Sequence, residues 1–275
     1  MPVRKEINLP SLYKNGFLYA WFSAMHTKVD LLLLGKEEAA LKSVSSQIAA
    51  EIEHLEKIGN YFDPESELSY VNRSAYHQPV HISDDLFQML AYCQKYHRLT
   101  QGLFDISIHS DNHHPQTPEA ILLDESSKSI RFTENGIRLN LSGFLKGFAL
   151  DRIREILLTH SVPDALINMG NSSILAVGNH PNGEGWKVQL ADPEEEDRSY
   201  ILFNECYTTS GNEKSGRRHI LNPRTGQYLE GKQTVSIISR SGSLGEALST
   251  TFCLIDHEEQ EEILARIPEL FVFIY

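Results

Sequence analysis

The stretch NLSGFLKGFALDRIREILLTHSVPDALINMGNSSILAV, residues 140–177, decides the fold class. From about Lys146 to His160 it places Leu150, Ile153 and Leu157 three and four residues apart, so these side chains share one face of a helix. Beyond His160 the helical period stops. Residues 165–168 and 174–177 are short apolar runs separated by a turn, as buried strands are.

Working outward, the same two patterns cover the chain. Residues 28–34 alternate and then run apolar as a strand does, and they lead through Gly35 into a long helical stretch. Leu41, Val44, Ile48, Ile52 and Leu55 recur there at steps of three and four. A further helix begins at Ser83, whose hydroxyl can cap the free amides ahead of Leu86, Leu90 and Cys93. On the other side, short strands are expected at 186–190, 200–203 and 234–239, then a helix near 244–254 and a closing strand at 270–275. Helices and strands do not alternate regularly enough for a dinucleotide-binding or barrel fold, so the class is α+β. No Gly/Ser-rich or Pro-rich linker interrupts the sequence, and one domain spanning 1–275 follows.

The formal charge of −12 argues against a nucleic-acid partner, because phosphate backbones are met by clustered Lys and Arg. A small anionic ligand would need local neutralisation, for example by a metal ion. Residues 1–14 hold no apolar stretch of signal-peptide length, and no run of about 18 apolar residues occurs anywhere. A cytoplasmic location without membrane insertion is the expectation. Cys93, Cys206 and Cys253 lie far apart in sequence and read as buried apolar thiols. The acidic run at 194–197 reads as a solvated turn, and His113 and His114 as part of a surface loop with no third ligand at useful spacing.

Five segments concentrate Gly, Ser, Thr, Asn or His beside apolar strands, where backbone can approach a ligand closely. They are Thr100-Gln101-Gly102-Leu103-Phe104-Asp105, Asn140-Leu141-Ser142-Gly143-Phe144-Leu145-Lys146-Gly147, Asn168-Met169-Gly170-Asn171, Thr209-Ser210-Gly211-Asn212 with His219-Ile220-Leu221-Asn222-Pro223-Arg224-Thr225-Gly226, and Glu246-Ala247-Leu248-Ser249-Thr250. Singly, each has a bland reading. His219 is then a surface histidine, Glu246 an exposed helix residue, Phe62 a core aromatic, and Asn140 and Thr209 turn or capping groups.

In this order and at these separations the segments resemble the ApbE family, the FAD:protein FMN transferases, from about Ala24 to Cys253. Phe62 to Asn72 is similar to a loop leading into the family's site, and Met25-His26-Thr27 to its Met-Gly-Thr turn. The resemblance implies a single α+β domain that binds FAD, with Mg²⁺ at the pyrophosphate. The reaction it implies is attack by a Thr or Ser hydroxyl of an acceptor flavoprotein subunit or domain, leaving FMN on the acceptor and releasing AMP. By the same resemblance His219 matches the general base, and Met25, Phe62, Leu103, Phe104, Asp105, Asn140, Lys146 and Leu221 match positions that touch FAD. Gly143, through its carbonyl, Glu246, Ser249 and Thr250 match the metal-binding positions.

Elementary chemistry agrees with that assignment. FAD carries two negative charges on its pyrophosphate, and a hard cation on oxygen ligands neutralises them. Glu246 and Thr250, four apart, share a helix face. Lys146 stands at a helix start, which itself attracts anions. A histidine near its neutral pKa suits proton removal from a hydroxyl.

The sequence departs from the family pattern at Glu246 and Asn140, each in place of Asp, and at His26 and Asn171, each in place of Gly. The stretch 109–123 is also shorter than usual, which is expected to leave out a helix near the cleft. These departures keep two alternatives open: a flavin-binding relative with impaired catalysis, and an FAD pyrophosphatase yielding FMN and AMP.

Overall fold

The structure is a computed structural model and describes residue 7 and residues 9–190, 198–212, 220–231, 233–267 and 270–275. Its elements in chain order are β1 (Ser11–Lys14), β2 (Phe17–Ala24), β3 (Thr27–Leu34), α1 (Glu38–Gly59), α2 (Glu67–Ser74), β4 (Val80–His81), α3 (Asp84–Leu99), a 3₁₀ turn (Thr117–Ala120), β5 (Ile121–Asp124), β6 (Ser129–Phe132), α4 (Leu145–Thr159), β7 (Ala165–Met169), β8 (Ser173–Val177), β9 (Trp186–Gln189), β10 (Ser199–Leu202), β11 (Cys206–Gly211), β12 (Thr234–Ser239), α5 (Gly242–Phe252), α6 (His257–Leu264) and β13 (Phe271–Ile274). The α+β class read from the sequence is the class observed.

Eight strands form an antiparallel sheet in the order β1-β2-β3-β7-β8-β11-β12-β13. Strand parity then decides the layers. Val29, Leu31 and Leu33 of β3 and Leu175 and Val177 of β8 join the main core, together with Ile48, Ile52, Leu150 and Ile153 from α1 and α4. The alternate residues, Leu32, Leu34, Ile174 and Ala176, face a second cluster built on Trp186, Val188 and Leu202 of the β9–β10 hairpin. Being covered on both faces is why β8 and β12 are buried along their whole length.

The helix face read at Leu41, Val44, Ile48, Ile52 and Leu55 is buried in full. Each such side chain stabilises the fold by roughly 1.5–3 kcal/mol. Ser83 caps α3 by accepting a hydrogen bond from the Leu86 amide at 3.2 Å. Glu67 clamps the same corner, its carboxylate accepting from the Ser83 amide at 2.6 Å and hydroxyl at 2.7 Å. Residues 67–74, inside the stretch compared with a loop, form α2, and Ser66 caps it by accepting from the Ser69 amide. A small sheet, β4-β6-β5, packs beside α2 and α3 through Val80, Ile130 and Phe132.

All three cysteines are buried and free. Among the described residues no helix is long and apolar enough to cross a membrane. The acidic run at 194–197 lies outside the described residues.

Candidate active site

A cleft of about 1580 Å³ opens where the 103–109 segment, the start of α4, the β7–β8 turn, β9, β11 and α5 converge. It exceeds the roughly 300–1,000 Å³ of ordinary small-ligand pockets, so its size suits a dinucleotide.

One wall is set by the end of α3. Thr100, fully buried, donates its hydroxyl to the Tyr96 carbonyl at 2.8 Å and accepts the Phe104 amide at 2.9 Å. Gln101 and Gly102 then take positive φ, +53° and +88°, and turn the chain back. Leu103, Phe104 and Asp105 are thereby laid along the cleft.

The Asp105 carboxylate is occupied from within. One oxygen accepts the Ser107 amide at 2.7 Å and the Ser107 hydroxyl at 2.6 Å, and the other meets Nε2 of His113 at 2.7 Å. The side chains of His113 and Asp105 are 11% and 3% exposed. The 110–117 stretch is the loop expected, but the His113 side chain turns inward from it, while His114, about half-exposed beside Glu134, lies at the surface. A carboxylate desolvated behind the wall needs partners, and the histidine eight residues on supplies one. Nearby, His109 lines the cleft, and its pKa is pushed down by burial and then by the charge of His113.

The floor is built where α4 meets α5. The Asn140 amide donates to the Ile106 carbonyl at 2.8 Å, and its side-chain oxygen accepts the Ser142 amide at 2.9 Å. These bonds fix the turn that presents Gly143 and Lys146. No side chain caps the start of α4. Gly147 and Gly242 then let the two helices touch: a Cβ at Gly147 would stand 2.3 Å from the Gly242 carbonyl oxygen and 2.6 Å from Cγ of Glu246.

This contact sets Lys146 beside Glu246. Lys146 donates to the Ser172 hydroxyl, and Ser173 donates to Glu246 Oε1 at 2.5 Å. Glu246 is only 4% exposed, which corrects its bland reading as an exposed helix residue. Burial raises its pKa, opposed by the Lys146 ammonium and by the Ser173 hydrogen bond. Beside it, the Ser210 hydroxyl bonds those of Ser249 at 2.8 Å and Thr250 at 3.2 Å. Thr250 lines the cleft, whereas Ser249 is wholly buried beneath it.

The rim is less uniform. Asn222 closes a turn by accepting the Gly226 amide at 2.8 Å, and the Leu221–Tyr228 bridge holds its base, so Leu221, Pro223 and Tyr228 face the cleft. Phe62 also stands at the rim, 67% exposed, with its ring edge-to-face against Tyr61 and His26. It is not the core aromatic of the bland reading. Met25 lies elsewhere, in a shallow depression with His26, Lys28 and Glu56. Met25 and His26 are the two turn residues joining β2 to β3, both at positive φ, +50° and +57°. His219 lies outside the described residues.

The cleft thus gathers Phe62, Leu103, Phe104, Asp105, Asn140, Gly143, Lys146, Leu221, Glu246 and Thr250; Ser249 lies buried beneath it, and Met25 lies outside its lining, in the turn whose His26 touches Phe62. It adds Ser172, Ser210, His109 and Tyr228, which the sequence reading did not single out as site residues. The stretch 109–123 has turns and one 3₁₀ turn, and a side cavity of about 550 Å³ lies between Leu90, His97, Ile106, Pro118 and Pro223.

Known proteins match this chain over most of its length. The chain is 26% identical to the FAD:protein FMN transferase of Chlamydia muridarum, over 85% of this chain and 82% of that protein. It is also 26% identical to that of Klebsiella pneumoniae, over 85% and 81%. The flavin transferase ApbE of Vibrio cholerae shares the fold with a TM-score of 0.80 at 16% identity, covering 96% of this chain and 94% of that one. The Thermotoga maritima ApbE protein does so at 0.79 and 19%, covering 94% of each. The pattern of the ApbE family matches residues 25–274, and the chain belongs to that family.

Proposed function

We propose that this protein is an enzyme that moves FMN from FAD to a Thr or Ser hydroxyl of an acceptor flavoprotein and releases AMP, with Mg²⁺ as cofactor. The observation that carries this reading is the floor of the cleft. There the ammonium of Lys146 and the carboxylate of Glu246 sit together under a space of dinucleotide size, flanked by the hydroxyls of Ser210 and Thr250. The relatives, named FAD:protein FMN transferases, support the transfer of FMN from FAD to a protein.

The chemistry of the donor set bears on Mg²⁺. Among the described residues no three His, Cys, Asp or Glu side chains come together to hold a metal. Apart from Asp105, whose carboxylate is held by Ser107 and His113, the cleft provides the carboxylate of Glu246, the Thr250 hydroxyl and the exposed backbone of Gly143. All are oxygen donors. That set fits Mg²⁺, which is commonly held by one or two carboxylates together with substrate phosphates and water rather than by an all-protein cage. Bound there, Mg²⁺ would neutralise pyrophosphate charge.

The remaining work falls to the chain itself. Lys146 and the uncapped start of α4 attract the pyrophosphate. The Asn140 turn and the Leu103–Asp105 wall orient the dinucleotide, and Phe62 offers an aromatic face at the rim. His219, assigned from the family motif, takes the proton from the acceptor hydroxyl as its oxygen bonds to the phosphorus of FMN. The bond from that phosphorus to the AMP oxygen breaks.

The test mixes the protein with FAD, Mg²⁺ and an acceptor carrying an Asp-x-x-Ser/Thr-Gly/Ala-Ala-Thr motif, and follows AMP and acceptor-bound flavin by chromatography. Both products are expected, and Thr250→Ala is expected to lose them while unfolding as the parent does. AMP with free FMN alone would replace the reading by FAD hydrolysis. Bound FAD with no AMP would replace it by a binding protein.

A further inference from the structure

The two helices that make the floor are joined by one side chain that does not face the cleft. Asp151, on α4 and five residues beyond Lys146, reaches the first turn of α5. Its Oδ1 accepts the Gly242 amide at 2.6 Å. Its Oδ2 accepts the Ser243 amide at 3.0 Å, the Ser243 hydroxyl at 2.6 Å and the Ser241 hydroxyl at 3.0 Å. All four bonds, one to Oδ1 and three to Oδ2, come from the first turn of one neighbouring helix and its cap.

Capping alone does not account for this. The α5 helix has its own N-cap, Ser241, whose hydroxyl accepts the Leu244 amide at 3.3 Å. The amides taken by Asp151 are the two before that one, and both bonds run between helices. They sit at the closest approach of the pair, where a Cβ on Gly242 would lie 2.6 Å from the Gly147 carbonyl oxygen. Glu246 follows Gly242 by one helical turn and Thr250 follows Glu246 by another, so the rotation of α5 about its axis fixes where both point. Asp151 clamps that rotation against the helix that carries Lys146. A second tie lies beyond the first: Ser243 also bonds the Tyr96 hydroxyl at 3.0 Å, which connects the clamp to α3 and so to the wall that α3 sets.

We propose that Asp151 is a positioning residue for the cleft. By binding the Gly242 and Ser243 amides and the Ser241 and Ser243 hydroxyls, it holds Glu246 and Thr250 of α5 in register with Lys146 of α4, so that the cation-binding face is formed before ligand arrives. This inference rests on the proposed Mg²⁺-dependent reaction. Residues that support a metal's ligands without touching it commonly carry about 10–100-fold in affinity or activity. The same size of effect is expected here.

The experiment compares the parent chain with Asp151→Asn, Asp151→Glu and Ser243→Ala. Asparagine keeps the shape but turns one acceptor into a donor that faces donors. Each protein is measured for thermal midpoint, for FAD affinity without metal, and for Mn²⁺ binding in the presence of FAD by electron paramagnetic resonance. The Mg²⁺ concentration giving half-maximal AMP release is read as well. Asp151→Asn is expected to weaken Mn²⁺ binding and raise the half-maximal Mg²⁺ concentration by about tenfold or more, while FAD affinity without metal changes by less than about twofold. Ser243→Ala, which keeps the amide bonds, is expected to shift the same two quantities less, and it carries the test if Asp151→Asn does not fold. Asp151→Glu should recover part of the loss.

A lowered thermal midpoint with unchanged Mn²⁺ binding and Mg²⁺ dependence would overturn the proposal and leave Asp151 a structural residue only. A parent chain that binds FAD but neither Mn²⁺ nor turns over would instead overturn the proposed reaction, and this inference with it.

Discussion

Replacing Gly147 by alanine tests whether the contact between α4 and α5 is as close as the floor of the cleft requires. The added methyl would stand 2.3 Å from the Gly242 carbonyl oxygen and 2.6 Å from Cγ of Glu246. The first obstacle is backbone and cannot rotate aside, so the helices must separate. Forcing one extra carbon into a packed interface costs about 1–3 kcal/mol. Alanine returns up to about 1 kcal/mol through its better helix propensity. Because the 2.3 Å clash is with backbone, the cost falls in the upper part of that range, about 2–3 kcal/mol, and a net loss of about 1–2 kcal/mol remains, which for a chain of this size lowers the thermal midpoint by about 2–8 °C. Scanning calorimetry on Gly147→Ala and on Gly183→Ala makes the measurement, because a Cβ on Gly183 meets nothing within 4 Å. The control should stay within about 0.5 kcal/mol of the parent. The separation also draws Glu246 away from Lys146, so transfer activity should fall in Gly147→Ala beyond what unfolding explains. If Gly147→Ala melts no lower than the control, the helices are not in the contact described and the reasoning fails.

Three further outcomes are expected. His113→Ala leaves a buried oxygen of Asp105 without its partner and should cost about 1–3 kcal/mol in urea unfolding; a change no larger than that of an exposed His114→Ala would show the pair to be idle. Cys206 and Cys253, whose thiols burial pushes up to about 12, and Cys93, raised well above its ordinary value, should resist a thiol reagent at pH 8. A thiol with a pKa of about 12 is only about one part in ten thousand thiolate at that pH, so rapid labelling before denaturant is added would contradict the buried placement. Glu246→Asp withdraws the carboxylate from Ser173, so it should lower stability by about 1 kcal/mol yet tighten Mg²⁺ binding by freeing the shorter acid; a calorimetric loss of Mg²⁺ affinity would show that the site has adapted to glutamate.

Legibility in the sequence followed how local each determinant is. The buried face of α1 is a pattern within one element, and it reads directly from Leu41 to Leu55. The hairpin of β1 and β2 also has a local signal that the reading of the chain passed over: Asn15-Gly16, both at positive φ, joins Lys14 to Phe17. The next hairpin hides its turn, because Met25 and His26 hold the same conformation without a glycine. Strand 186–190 and helix 244–254 appear as β9 and α5, displaced by one or two residues, whereas α6 is not among the expected elements.

The site divides in the same way. Lys146, Thr250 and the Leu103–Asp105 wall stand out as motifs, since each lies in a short run of unusual composition. Of the serines that tie them, Ser210 lies in such a run, Thr209-Ser210-Gly211-Asn212, while Ser172 and Ser173 do not. Ser172, Ser173 and Ser210 are small hydroxyls of a common kind, and their partners, Lys146, Glu246 and Thr250, lie on other elements. Nor does anything in the spacing announce the pairing of Asp105 with His113, which depends on the turns between them.

The order of strands in the large sheet has a consequence for how the chain is made. Its middle is closed by β3 against β7, with Leu33 opposite Ala165 and Val29 opposite Met169, and α1, α2, α3 and the small sheet all lie between them in sequence. Roughly 130 residues must therefore leave the ribosome before β3 meets its partner, which at about 5–20 residues per second takes roughly 7–26 s. During that interval the row Leu31-Leu32-Leu33-Leu34 belongs to an unfinished hairpin with an open edge. The nascent chain is most exposed to misassociation then, because α1 covers a face of β3 while its edge stays unpaired until β7 arrives.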